Sequence, residues 1–249
     1  MTHPPPHADA PAELLAVLPT YNEAGNVVAM LERLLALAPC QVLVIDDGSP
    51  DGTADLADAV GRRTGRVTVV RRARKLGLGT AYLLGFRQAV ARGHRRVLQM
   101  DCDFSHDPDD VRRLMTAMDE TGADLVIGSR YVSGGRITGW PLHRLLLSRG
   151  GNAYARVLLG RSIRDWTAGF KLWRLEALTE VVSEPADFAD GYSFLAETTL
   201  RALRLGKHVV ELPITFRERV AGDSKMGLDI VAESARRVFK LRGRGTRAR

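Results

Sequence analysis

Five short apolar runs punctuate the first half of the chain, and the first two are each followed by turn-favouring residues. They are LLAVLP (14–19), QVLVID (41–46), RVTVV (66–70), RRVLQM (95–100) and ADLVIGS (123–129). Runs of this length are short for helices, and their β-branched residues suit buried strands. Between them apolar residues recur at helical spacing: Val27, Met30, Leu31, Leu34 and Leu35, then Leu56, Ala57 and Val60, then Val111, Leu114, Met115 and Met118. Asp107-Pro108 ahead of the third set reads as an N-cap with proline at the first helical position. This alternation predicts an α/β fold, a largely parallel sheet with helices on both faces. With 249 residues the chain can bury a full core, as one large domain or two small ones. It holds no internal repeat.

In such sheets ligands bind beyond the carboxyl ends of the strands. The residues found there are PTYNE (19–23), DDGSPDGT (46–53), DCDFSH (101–106) and SRYVSGG (129–135). Asp101 and Asp103 stand two positions apart, so in an extended segment both carboxylates point the same way and can converge on one cation. Magnesium and manganese favour carboxylate oxygens and share them with substrate phosphates and water. The bland alternative is a solvated turn. Cys102 should point the opposite way and fits a small buried residue better than a third ligand. Asp46 and Asp47 have two readings as well. One is a plain strand-to-helix turn in which Thr53 caps the next helix; the other is a carboxylate accepting from ribose hydroxyls or base N–H groups.

After residue 135 the pattern changes. WPLHRLLLSRGGNAYARVLLG (140–160) places Leu142, Leu145, Leu146, Tyr154, Val157 and Leu158 at helical spacing. Arg144, Ser148 and Asn152 recur every four residues on a different face, and Gly150-Gly151 weakens the helix. The leucine stripe is either an ordinary core-facing face or one that enters a membrane interface. Further strands are expected near 169–173 and over 208–216, the latter bent at Pro213, with helices over 194–206 and 228–241. YVSGGRITGW (131–140) and RERVAGDSKMG (217–227) read as flexible loops able to close over a bound ligand.

A formal net charge of +7 favours anionic partners, without choosing among them. Nucleic-acid binding predicts clustered cations interleaved with aromatics, but the charges are spread, apart from RRARK (71–75) and the last residues. A dehydrogenase would carry its glycine fingerprint after the first strand, where PTYNE stands. A phosphatase with a DxD nucleophile would also place it there, whereas DCD follows the fourth strand. Two cysteines without metal-ligand spacing suit a reduced, cytosolic protein. No run of eighteen apolar residues offers a membrane span. Residues 1–13 read as a disordered proline-rich tail rather than a signal peptide, and 242–249 as a basic disordered tail.

PTYNE, VIDDGSPDGT, GLGTAYLLGF, MDCDFSH, IGSRYVSGG, WPLHR and the SK after RERVAGD stand in the order and spacing of one family. Over residues 14–241 the chain resembles family 2 glycosyltransferases of the GT-A type, and more narrowly the dolichol- and polyprenol-phosphate mannosyltransferases. The resemblance implies a single GT-A domain, Rossmann-like, with an acceptor-side amphipathic helix at about 141–160. It implies donor contacts from Pro19, Tyr21, Glu23, Ile45 and Asp47, and a Mg2+ or Mn2+ ion on Asp101 and Asp103. Cys102 would contribute backbone contact to the donor, and Arg219 and Lys225 cations to its diphosphate. Arg130 would lie by the reacting phosphates, sharing the catalytic role with Asp103, while Arg144 and Ser148 hold the lipid phosphate.

The chain departs from the family in three places, one of them WTAGF (166–170) where a serine-glycine-phenylalanine pattern is more usual. DCD replaces the familiar DAD, and Ser105 stands where some members complete the metal shell with glutamine, which casts doubt on direct coordination there. The implied reaction is metal-dependent, inverting transfer of mannose from GDP-mannose to a polyprenyl phosphate. It would take place peripherally on the cytoplasmic face of the membrane, with a separate membrane-anchoring partner protein and without nucleic acid. The nearest alternative is a UDP-glucose-dependent polyprenyl-phosphate glucosyltransferase; a nucleic-acid-binding α/β protein is a distant one. A phosphate monoester suits such a site chemically: its second pKa lies near ~6, so it arrives as a dianion and needs cations more than a base.

Overall fold

The structure, a computed structural model, describes residues 13–37, 39–183, 188–218 and 228–243, the last stretch with side chains over 233–242. The elements run β1 (Leu14–Thr20), α1 (Val27–Leu37), β2 (Cys40–Asp46), α2 (Thr53–Thr64), β3 (Val67–Arg71), α3 (Leu78–Arg92), β4 (Arg96–Gln99), α4 (Asp110–Thr121) and β5 (Leu125–Ser129). There follow β6 (Arg136–Thr138), α5 (Leu142–Leu159), β7 (Lys171–Arg174), α6 (Leu175–Ser183), α7 (Ser193–Arg204), β8 (Val209–Pro213), β9 (Thr215–Arg217) and α8 (Leu228–Gly243). Seven strands form one sheet in the order β3-β2-β1-β4-β7-β5-β8, and β6 and β9 form a second. All pairings are parallel except those of β7, which lies antiparallel between β4 and β5.

Alternation along β1 shows why the sheet is covered on both sides. Leu15 and Val17 face a cluster with Tyr82 and Phe86 of α3 and Phe194 of α7, while Leu14, Ala16 and Leu18 face Met30 and Leu31 of α1 and Leu114 of α4. A strand buried on both faces reads as a continuous apolar run, which is how these strands look in the sequence. Helix α3 lies close on β1 because position 85 is glycine: a Cβ there would stand 2.3 Å from Val17 Cγ1. Any larger residue would lift the helix from the sheet.

Several local expectations change. Leu56 is 38% exposed although Ala57 and Val60 are buried. Thr53 does not cap α2. Its N–H and hydroxyl donate to Asp51 Oδ1 (3.1 and 2.6 Å), and its hydroxyl accepts from the Glu23 N–H at 2.9 Å. Helix α4 begins at Asp110 with Asp109 at its N-cap position, so Pro108 lies ahead of the first helical residue, and Asp107 instead accepts from the Asp109 N–H at 3.1 Å in the preceding turn. The expected loop at 131–140 contains β6, paired in register with β9. The strand expected over 208–216 breaks after Pro213 into β8 and β9. Of the two expected tails, Glu13, Arg242 and Gly243 alone are described, the last two within α8.

Lys171, at the start of the antiparallel strand, is fully buried. Its ammonium donates to Leu195 O at 2.6 Å and Thr199 Oγ1 at 2.8 Å, tying β7 to α7. Burial pulls its pKa down from 10.5 to about 7, against a smaller opposing pull from Asp165. The unfolded chain therefore binds more protons than the native one between those values, so stability rises with pH there, by up to about 1.4 kcal/mol per pH unit. Urea unfolding at pH 7 and pH 9.5 is expected to show this rise in the wild type, and Lys171→Met should remove it.

Candidate active site

The carboxyl ends of β1 and β2 are locked together before they offer anything to a ligand. Thr20 Oγ1 donates to Asp46 Oδ1 at 2.9 Å, and the Ser49 N–H and hydroxyl donate to the same carboxylate (2.9 and 2.6 Å). Asp46 is thus consumed by the turn, while Asp47 turns to a cavity. There Asp47 pairs with Arg72, whose side chain is largely covered, and accepts from the Leu76 N–H at 3.2 Å. Arg72 also donates to Thr80 Oγ1 at 2.7 Å and Gly77 O at 3.2 Å, so one guanidinium joins the β2 end to the start of α3. Pro19, Tyr21, Glu23 and Lys75 complete this side of the cavity, with the Lys75 ammonium 4.9 Å from the centre of the Tyr21 ring. Ile45 packs its side chain into the core and lines neither this cavity nor the one beside it.

Beyond β4 the chain bends. Phe104 adopts a positive φ of 59°, and Cys102 packs among the core side chains as a small buried residue. Asp101 and Asp103 both stand where the first cavity meets a second. Each is oriented by a neighbour. The Tyr82 hydroxyl donates to Asp101 Oδ1 at 3.1 Å, and burial together with the Asp101 charge raises the Tyr82 pKa well above 10, keeping the phenol a donor. The Ser105 N–H and hydroxyl donate to Asp103 Oδ1 (3.0 and 2.6 Å), so Ser105 positions a carboxylate. Gly169 leaves room beside the pair: a Cβ there would lie 3.4 Å from Asp101 Oδ2 and 3.5 Å from His106 Cε1. Burial lowers the His106 pKa to about 4, leaving a neutral ring stacked on Phe170. Among the described residues no group of three His, Cys, Asp or Glu side chains could hold a metal. Two carboxylates with no such third ligand fit a hard, oxygen-seeking ion that keeps its other positions for phosphate and water.

The second cavity is lined by Asp101, Asp103 and Ser105 on one side, and by Arg130, Arg144 and Ser148 on another. Arg130 is clamped by Asp165, which accepts from its Nε and Nη2 (both 2.7 Å) and from its N–H (3.0 Å). Burial alone would raise the Asp165 pKa, but the Arg130 charge and bonds prevail and hold it below the usual carboxylate value. Arg144 lies 4.1 Å over the Trp140 ring and pairs with Glu218, and Tyr131 donates its hydroxyl to Ser148 Oγ at 2.8 Å. Sequence reasoning named Arg130, Arg144 and Ser148 but missed Asp165, Glu218, Tyr82 and Arg72, whose partners lie far along the chain. Arg219 and Lys225 fall outside the described residues.

Helix α5 forms the outer wall, and it is inverted relative to an ordinary surface helix. Its buried residues are Asn152 and Ala155, whereas Leu142 is 69% and Val157 76% exposed. Asn152 is held by bonds to Thr167 Oγ1 (3.0 Å) and the Trp166 N–H (2.8 Å). The helix continues through Gly150 and Gly151 without a break. Of the apolar stripe, Leu158 packs against the core, whereas Leu142, Leu146, Tyr154 and Val157 are exposed. No helix among the described residues is long and apolar enough to cross a membrane.

A family model described as glycosyl transferase family 2 matches residues 15–182. Polyprenol monophosphomannose synthase of Mycolicibacterium smegmatis is 45% identical over 239 residues, covering 94% of this chain and 89% of that protein. Undecaprenyl-phosphate mannosyltransferase of Micrococcus luteus is 42% identical over 241 residues, covering 95% and 98%. Among solved structures, S. aureus TarS 1–349 in complex with UDP superimposes with a TM-score of 0.60 at 17% identity, over 95% of this chain and 67% of that one. The mannosyltransferase PcManGT from Pyrobaculum calidifontis, in complex with GDP-Man and Mn2+, gives 0.57 at 16% identity, and this chain spans 86% of its own length but 59% of that protein. These structural likenesses show a shared fold, the GT-A type.

Proposed function

Because the chain belongs to glycosyl transferase family 2, we propose that it transfers mannose from GDP-mannose to a polyprenyl phosphate, with inversion at the sugar and with a divalent cation, Mg2+ or Mn2+, as cofactor. The observation that carries this reading is the position of Asp101 and Asp103 at the junction of two cavities of different character. One presents Pro19, Tyr21, Glu23 and Asp47, suited to a nucleoside; the other presents Arg130, Arg144 and Ser148 beneath an exposed apolar helix, suited to a phosphate on a lipid. The names of the Mycolicibacterium smegmatis and Micrococcus luteus relatives support mannose and a polyprenyl phosphate. GDP-Man and Mn2+, one of the two ions proposed, are found together in the Pyrobaculum calidifontis protein that shares the fold.

In this reading the ion would be held by Asp101 and Asp103 and would offset the charge of the departing diphosphate. The chain itself does the rest. Arg144 and Ser148 hold the acceptor phosphate, whose oxygen attacks the anomeric carbon as the bond to the nucleoside diphosphate breaks. The acceptor is already a dianion, so no side chain need take a proton. Arg130, kept rigid by Asp165, adds fixed positive charge to the wall facing both phosphates. Arg219 and Lys225 are assigned to the donor diphosphate on the family resemblance. The exposed side chains of α5 would rest in the membrane interface on the cytoplasmic face, bringing the second cavity to the lipid.

Labelled GDP-mannose and UDP-glucose, each offered with polyprenyl phosphate and Mg2+ or Mn2+, test the proposal by extraction into organic solvent. Only mannose label should move, in β linkage, and a chelator should stop it. Transfer of glucose label, or an α-linked product, would overturn the assignment.

A further inference from the structure

We propose that Glu218 selects the acceptor by charge, reserving Arg144 for a phosphate monoester dianion and turning away singly charged phosphodiesters. This rests on the reading of Arg144 as a ligand of the acceptor phosphate. The two arginines on the acceptor-side wall each hold a carboxylate, but in different ways. Asp165 is fully buried and grips Arg130 through two parallel bonds along the Nε–Nη2 edge of the guanidinium, so that pair is a fixed part of the wall. Glu218 is 37% exposed and is bonded by Arg144 through Nη1 alone, at 2.7 and 2.8 Å to its two oxygens. Arg144 Nε is buried without a partner among the described residues. The second pair is therefore exchangeable, and its arginine has donor capacity left.

The backbone keeps Glu218 in place for this role. Its N–H donates to Thr138 O at 3.0 Å, and a Cβ on the neighbouring Gly139 would come within 2.9 Å of the Glu218 Cβ. A resident carboxylate is always at hand, so an incoming anion must hold Arg144 better than Glu218 does. A phosphodiester carries one charge, as the carboxylate does, and gains little by exchange. A phosphate monoester above pH ~6 carries nearly two, and its extra charge favours the exchange. Discrimination of this kind suits an enzyme whose acceptor lies among phosphodiester lipids that outnumber it.

Decyl phosphate and its methyl ester share a chain and differ by one charge, which makes them suitable probes. Calorimetric binding to the full-length protein with Mn2+ present, and inhibition of label transfer, are the two readouts. The wild type should prefer the monoester by about tenfold, and Glu218→Gln should cut this to about twofold by tightening the diester. Glu218→Asp should keep the preference. An unchanged ratio in Glu218→Gln overturns the proposal. A larger ratio also overturns it, since Glu218 would then be repelling the dianion rather than screening for it. Failure of the acceptor reading looks different: Arg144→Gln would leave decyl phosphate binding unaltered, or the wild type would transfer nothing to polyprenyl phosphate.

Discussion

Asp103→Asn is expected to lower sugar transfer on the order of 10³-fold while leaving the protein folded, because several kcal/mol of leaving-group stabilisation depend on the carboxylate charge. The substitution is nearly isosteric. Ser105 donates twice to Asp103 Oδ1, and an amide oxygen can accept both bonds, so the bend at Phe104 should survive. Removing one of two facing acids relieves repulsion in the metal-free protein, and the melting temperature should hold or rise. Initial rates of label transfer against Mn2+ concentration, beside thermal unfolding of both proteins, check this. A variant within threefold of wild-type turnover would remove Asp103 from the chemistry.

Asp165→Asn should act on stability instead, and strongly. Asp165 has no exposed surface, and it accepts two guanidinium bonds and one backbone bond from Arg130. With a neutral amide in its place, the Arg130 charge stays buried without a counter-ion, a loss of about 3–5 kcal/mol. For a chain of this size that is on the order of 10 °C in melting temperature. Since the folded carboxyl titrates below 3.8, its contribution is present above that value and fades as pH falls through the lowered native one. Urea unfolding of Asp165→Asn, Arg130→Gln and the double variant would measure the pair. The double variant should be less destabilised than the two single losses combined, and simple additivity would show that the two side chains do not depend on each other.

The sheet was legible because burial on both faces leaves continuous apolar runs, and α1 and α4 because their buried residues keep the helical period. The direction of β7 was not legible: a strand buried on both sides looks the same parallel or antiparallel, and only its partners decide. Helix α5 shows the same limit. Its leucine stripe is plain in the sequence, but periodicity says that residues share a face and not whether that face meets core or solvent. At the site, Asp101 and Asp103 announce themselves by spacing and by their place after a strand. Asp165 and Glu218 do not, since they sit 35 and 74 residues from the arginines they hold, and short-range patterns carry no trace of such pairs. Thr53 was misread as a cap because its hydroxyl is taken by Glu23, again a long-range bond.

Diffraction above the manganese edge, from crystals grown with GDP, Mn2+ and a short-chain prenyl phosphate, would examine the junction of the two cavities directly. The expected result is one anomalous peak within bonding distance of both Asp101 and Asp103, shared with the diphosphate. The nucleoside should lie against Tyr21 and Asp47, and the lipid phosphate on Arg144. A peak elsewhere, or nucleotide bound without an ion between those two aspartates, would contradict the account.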